Sequence, residues 1–170
     1  MFVNGILIIY HHPITASSPT IMEHVESFER YSQFKVWKVN TAYGFPHRLK
    51  SLDFSAIVLH YSLFGSHPFS IPEKFLQYVE QNDKSSIIAF FQDEMQYCQQ
   101  RFATINRMGV DIIYSLLDPQ FFKEVYYKNT TVKKVLHTLT GYVCDSLLEK
   151  SAEFFKPFDD REIDVGYRAR

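Results

Sequence analysis

The residues of this chain that could do chemistry gather where apolar runs stop. His11-His12 follow Gly5 to Tyr10, His60-Tyr61-Ser62 follow Phe54 to Leu59, and Gln92-Asp93-Glu94 follow Ser85 to Phe91. Imidazoles and carboxylates take and return protons near neutral pH, so this set suits a general base working on a ligand hydroxyl. Asp93, His60 and His12 are the candidate catalytic groups. His11, Thr20, Asn40, Tyr61, Gln92, Glu94 and Arg101 are the candidate substrate-binding groups around them. Each also has a plainer use. Asp93 reads equally as the N-cap of the helix that follows it, and Glu94 suits the dipole of that helix's first turn. Arg101, about two turns beyond Asp93, either anchors an anion or pairs with Glu94. Polar residues at strand ends often do no more than cap helices and meet water; it is the whole set that argues for a ligand crevice.

Metal chemistry is a weaker use of the same residues. Neighbours in extended chain point opposite ways, so His11 and His12 do not readily share one ion, and no metal site is assigned. Cys98 and Cys144 lie far apart and outside any CxxC pair, as expected of free thiols in a reducing compartment. No GxGxxG or GxxxxGK[ST] pattern follows any apolar run, which disfavours nicotinamide and P-loop enzymes. No cofactor is expected. A net charge of -1 gives no support to sequence-independent nucleic-acid binding, which needs a basic field.

Elements must position these groups, and the 170 residues, 46% hydrophobic, suffice for one domain with a sizeable core. The apolar runs Gly5 to Tyr10, Phe54 to Tyr61, Ser85 to Phe91 and Asp111 to Leu116 are continuous rather than alternating, as in strands buried on both sheet faces. Phe34 to Val39 alternates in part and reads as a strand nearer an edge, and Val135 to Leu139 as a weaker sixth strand. Helices are predicted between them. Ser18 as N-cap and Pro19 at the first position open one on Ile21, Met22, Val25 and Phe28. A short one covers 47–52, another spans Glu73 to Gln81, and a fourth spans Met95 to Met108 with Gly109 as its stop. Asp118-Pro119 starts one running through Val125, and Asp145 to Phe155 is the last. The predicted fold is therefore α/β: a doubly wound, mainly parallel, Rossmann-like sheet with helices on both faces. Right-handed crossovers bring every strand-to-helix loop to one rim. In the order of domains, 1–156 is the Rossmann-like unit, and 157–170 is a linker plus the opening strand of a further domain.

Several stretches, read together, carry a likeness. "IIYHHPITASSPTIMEHVESF", "VLHYSLFG", "AFFQDEMQYCQQR", "GVDIIYSLLDPQFF" and "IDVGYRAR" resemble the amino-terminal half of a bacterial glycosyltransferase group with the two-Rossmann-domain GT-B architecture. The resemblance implies an acceptor-binding domain whose partners are a glycan or sugar acceptor and, in the longer protein, a nucleotide-sugar donor. The donor would sit mainly in a carboxy-terminal domain whose first strand is "IDVGYRAR", so residues 1–170 alone would not turn over sugar. It further implies surface-glycan or polysaccharide biosynthesis without a required metal. The expected location is the cytoplasm, with action near a membrane surface allowed. Two rivals stand beside it: a non-enzymatic flavodoxin-like binding module, and a metal-dependent hydrolase using the histidines and Asp93.

Overall fold

In a computed structural model, residues 1–15, 19–139 and 144–162 are described. Six parallel strands form one sheet: β1 (Phe2–Tyr10), β2 (Lys35–Asn40), β3 (Asp53–Leu59), β4 (Ser86–Phe90), β5 (Ile112–Ser115) and β6 (Lys134–His137). Their spatial order is β2-β1-β3-β4-β5-β6. This is the predicted Rossmann-like, doubly wound class, and β2 lies at the sheet's edge. The strands form where the sequence is apolar without alternation because both faces are covered. Leu7, Ile9, Ile57, Leu59, Ile87, Ala89 and Ile113 point to one face, with Ile8 and Val58 on the other; all are buried.

Helix α1 (Thr20–Tyr31) covers the second face through Ile21, Met22, Val25 and Phe28, spaced to form one stripe. Helices α2 (Glu73–Glu80) and α3 (Cys98–Met108) cover the first through Phe75, Val79, Phe102, Ile105 and Met108. Gly109, at φ +60°, ends α3 in the left-handed conformation that glycine adopts without penalty. Helix α4 (Asp145–Glu153) buries none of its residues, and its Asp145 is held to the end of α1 by Tyr31 and Arg30. Gly5 on β1 is a packing requirement rather than a turn. A Cβ there would stand 2.5 Å from both the Lys35 carbonyl oxygen and the Trp37 ring.

Four local expectations are corrected. Helix α3 begins at Cys98, not Met95, because residues 92–97 form a turn in which Asp93 and Tyr97 have φ of +52° and +54°. Asp93 is therefore not its N-cap. The segment after Asp118 is a 3-10 turn, Pro119–Phe121, running into a π-helix, Lys123–Tyr127, rather than an α-helix. Strand β6 stops at His137, and the 47–52 element is a 3-10 helix, His47–Ser51. Ser18 and the "IDVGYRAR" stretch lie outside the described residues.

Candidate functional site

The strand order explains where the site falls. β1 connects through α1 to β2 on one side, and β3 connects through α2 to β4 on the other, so the chain parts between the carboxyl ends of β1 and β3. Ligands of open α/β sheets bind at such a switch point. His11 and His12 follow β1 here, Asn40 ends β2, and His60 and Tyr61 follow β3.

Hydrogen bonds fix most of these groups. The Asn40 side chain accepts from the backbone N–H of His12 (3.0 Å) and Ala42 (3.1 Å) and donates to the His12 carbonyl (2.8 Å). Asn40 thus clips the β1 loop to the end of β2. The Thr41 hydroxyl donates to the Ser70 carbonyl (2.9 Å), so toward His11 it can only accept. His11 therefore carries its proton on Nδ1, 2.9 Å from Thr41 Oγ1, and keeps its lone pair on Nε2. Burial, then the neighbouring His12, pulls the His11 pKa down and keeps the ring neutral. With Thr41, Phe69, Ser70, Ile71 and Pro72, His11 lines a crevice of about 200 Å³.

His60 has the opposite polarity. Its Nδ1 accepts from the Ser62 backbone N–H at 3.2 Å and from the Ser62 hydroxyl at 2.9 Å, while that hydroxyl accepts from the His11 N–H at 2.9 Å. The His60 proton is consequently on Nε2, donated to Nδ1 of His24 at 3.0 Å, which places the His24 proton on its own Nε2. His60 is fully buried. Burial first, and His24 second, lower its pKa to about 3; burial also lowers that of His24. Tyr61 stacks on His24 with ring centres 5.6 Å apart, and Phe90 meets it edge-on at 5.7 Å. Beside them a small cavity of about 40 Å³ is lined by His24, Tyr61, Phe90, Gln92, Leu116 and Thr138 among others.

The structure thus gathers His11, His12, Asn40, His60 and Tyr61 around one switch point and sets Gln92 at the adjoining cavity. Thr20 is exposed at the start of α1. Asp93 is exposed on the turn after β4. Glu94 and Arg101 lie under that turn instead. Glu94 is 6% exposed, and its carboxylate accepts from the Ser115 hydroxyl (2.7 Å), the Leu116 N–H (2.7 Å) and the Tyr126 hydroxyl. Burial and then Glu94 push the Tyr126 pKa upward. Arg101 is 2% exposed, lies 5.1 Å over the Phe91 ring and donates to the carbonyls of Glu94 (2.8 Å) and Asp93 (3.4 Å); its Nε has no partner. The pair brace a left-handed turn that Asp93 and Tyr97 would not hold unaided.

Sequence reasoning missed His24, Thr41 and the orienting part played by Ser62. One signal was present for His24: it interrupts the apolar stripe of α1, between Ile21 and Val25. Among the described residues no group of three or more His, Cys, Asp or Glu side chains could hold a metal ion. No helix among them is long and apolar enough to cross a membrane. Compared with known proteins, the chain matches no family model, no curated protein and no solved structure.

Proposed function

We propose that this is the acceptor-side domain of a two-domain glycosyltransferase. In this reading the crevice walled by His11, Thr41 and Phe69 to Pro72 takes the acceptor hydroxyl and a following domain carries the nucleotide-sugar. The observation that carries the reading is the state of His11, a residue of the crevice lining: its Nδ1–H is spent on Thr41, so Nε2 is the nitrogen that keeps a free lone pair. A neutral imidazole with an oriented lone pair is what removal of a hydroxyl proton requires. His60 cannot serve, since both of its nitrogens are committed and its lone pair points at Ser62. The role of base passes from His12, His60 and Asp93 to His11, and His60 becomes part of the frame. If the enzyme inverts, His11 takes the proton as the acceptor oxygen attacks; if it retains configuration, His11 only orients that oxygen. Surface-glycan assembly in the cytoplasm, beside a membrane, belongs to the same proposal.

The test uses the protein together with its carboxy-terminal domain and a panel of nucleotide-sugars and acceptors. Release of nucleoside diphosphate should fall about 100-fold or more in His11→Ala while the fold stays intact. Undiminished release in that variant contradicts the proposal.

One observation favours a second reading. The first five strands have the order 2-1-3-4-5, the flavodoxin-like arrangement, in which the β1/β3 switch point binds ligands with or without chemistry. Saturable binding of a ligand at His11, with no turnover of any nucleotide-sugar, would select a non-enzymatic binding module.

A further inference from the structure

We infer that the crevice is built for an uncharged ring, a sugar or polyol that carries hydroxyls but no phosphate or carboxylate. The inference rests on the acceptor-site reading and adds which acceptors the site takes. Among the described residues, neither the 200 Å³ crevice nor the 40 Å³ cavity has a lysine or arginine in its lining. Arg101, the arginine closest in sequence to the Gln92-Asp93-Glu94 turn, is buried and donates to the carbonyl oxygens of Glu94 and Asp93.

The imidazoles do not supply the missing charge. A proton added to His60 at Nδ1 would face the Ser62 N–H, and one added to His24 at Nδ1 would face the His60 Nε2–H. Each available lone pair in that pair is already bonded. Of the two histidines in the crevice and cavity linings, His11 and His24, His11 is the one with a lone pair to offer, and burial lowers its pKa. An anion entering here would give up its water without meeting a counter-charge, which is the costly way to bury charge. A sugar hydroxyl loses little, because it can donate to His11 Nε2 while its lone pairs stay available to other donors.

Shape agrees with charge. The crevice is smaller than the roughly 300 to 1,000 Å³ of pockets for drug-sized ligands, which suits one ring rather than a nucleotide. Phe69 borders it, and Tyr61 and Phe90 border the smaller cavity; such flat apolar surfaces suit the C–H face of a sugar.

The experiment compares matched pairs by NMR titration of the ¹⁵N-labelled chain. The pairs are glucose with glucose 6-phosphate, galactose with galacturonate, and N-acetylglucosamine with its 1-phosphate. At least one uncharged sugar should move the His11 ring signals, and its charged counterpart should bind at least tenfold more weakly. Equal or tighter binding of the charged counterpart at His11 overturns the inference and leaves the acceptor reading standing. Failure of every sugar to move His11 overturns the acceptor reading and the inference with it. The variant His11→Lys provides a second measurement: a cation at the wall should turn the preference toward the phosphorylated partner. An unchanged preference in that variant overturns the claim that the absence of a cation sets it.

Discussion

Between pH 7.5 and pH 5 the buried His60 should weaken this fold by an amount that can be worked out beforehand. Folded, its pKa lies near 3; unfolded, it returns to 6.5. Below 6.5 the unfolded chain therefore binds a proton that the folded one refuses. The His60 contribution is complete above 6.5 and drains away as the pH falls toward 3. Each pH unit crossed between those two values removes about 1.4 kcal/mol, so the loss is about 2 kcal/mol at pH 5 and about 4 kcal/mol at pH 3. For a chain of this size the first figure corresponds to a fall in Tm of roughly 4 to 8 °C. His24, lowered by burial too, acts in the same direction, and the two titrate as a pair. Urea denaturation followed by circular dichroism at pH 7.5, 6.5, 5.5 and 5 measures the slope in the native chain and in His60→Asn. The asparagine variant should be less stable at pH 7.5 and should lose about 2 kcal/mol less on going to pH 5. Parallel slopes in the two proteins would refute the claim that a neutral, buried imidazole holds the switch point together.

Three other substitutions probe the frame. Gly5→Ala should destabilise by about 1 to 3 kcal/mol in urea denaturation, because its Cβ meets the Lys35 backbone and the Trp37 ring at 2.5 Å. Tyr97→Gly should raise Tm by a few degrees: relief of a left-handed non-glycine residue is worth about 1 kcal/mol. An unchanged or lower Tm would mean that the exposed tyrosine ring contributes more than its backbone costs. Glu94→Gln should cost about 2 kcal/mol or more. One of its carboxylate oxygens becomes an amide that donates, against three donors from Ser115, Leu116 and Tyr126. A loss under about 0.5 kcal/mol by the same assay would show that the buried carboxylate is not what ties the turn to β5.

Much of the fold could be read in advance because burial on both faces leaves a direct mark. Ile6 to Tyr10, Ala56 to Leu59 and Ile87 to Phe91 have no alternation, and only a covered parallel sheet suits them. The order of the strands leaves no such mark, since crossover direction is set by packing of whole layers. The partnership of β1 with β3, on which the site depends, therefore had to come from the structure. Polar residues divided along the same line. His11 and His60 were visible as imidazoles ending apolar runs, but their opposite tautomers depend on Thr41, which reaches His11 from the loop after β2, and on the local turn that folds Ser62 back onto His60. Glu94 reads as a substrate-binding candidate, or as a first-turn carboxylate suiting the dipole of the following helix. Two left-handed residues move the helix start three positions on and turn Glu94 inward, and nothing in the sequence Gln92 to Tyr97 announces that backbone.

The proposed chemistry turns on His11, and its ring can be observed directly. In a long-range ¹H–¹⁵N spectrum at pH 7.5, Nδ1 should appear protonated and Nε2 as a bare lone-pair nitrogen, and saturation with a bound sugar should shift Nε2. A protonated Nε2, or a ring that does not respond while sugar is bound, would contradict that role.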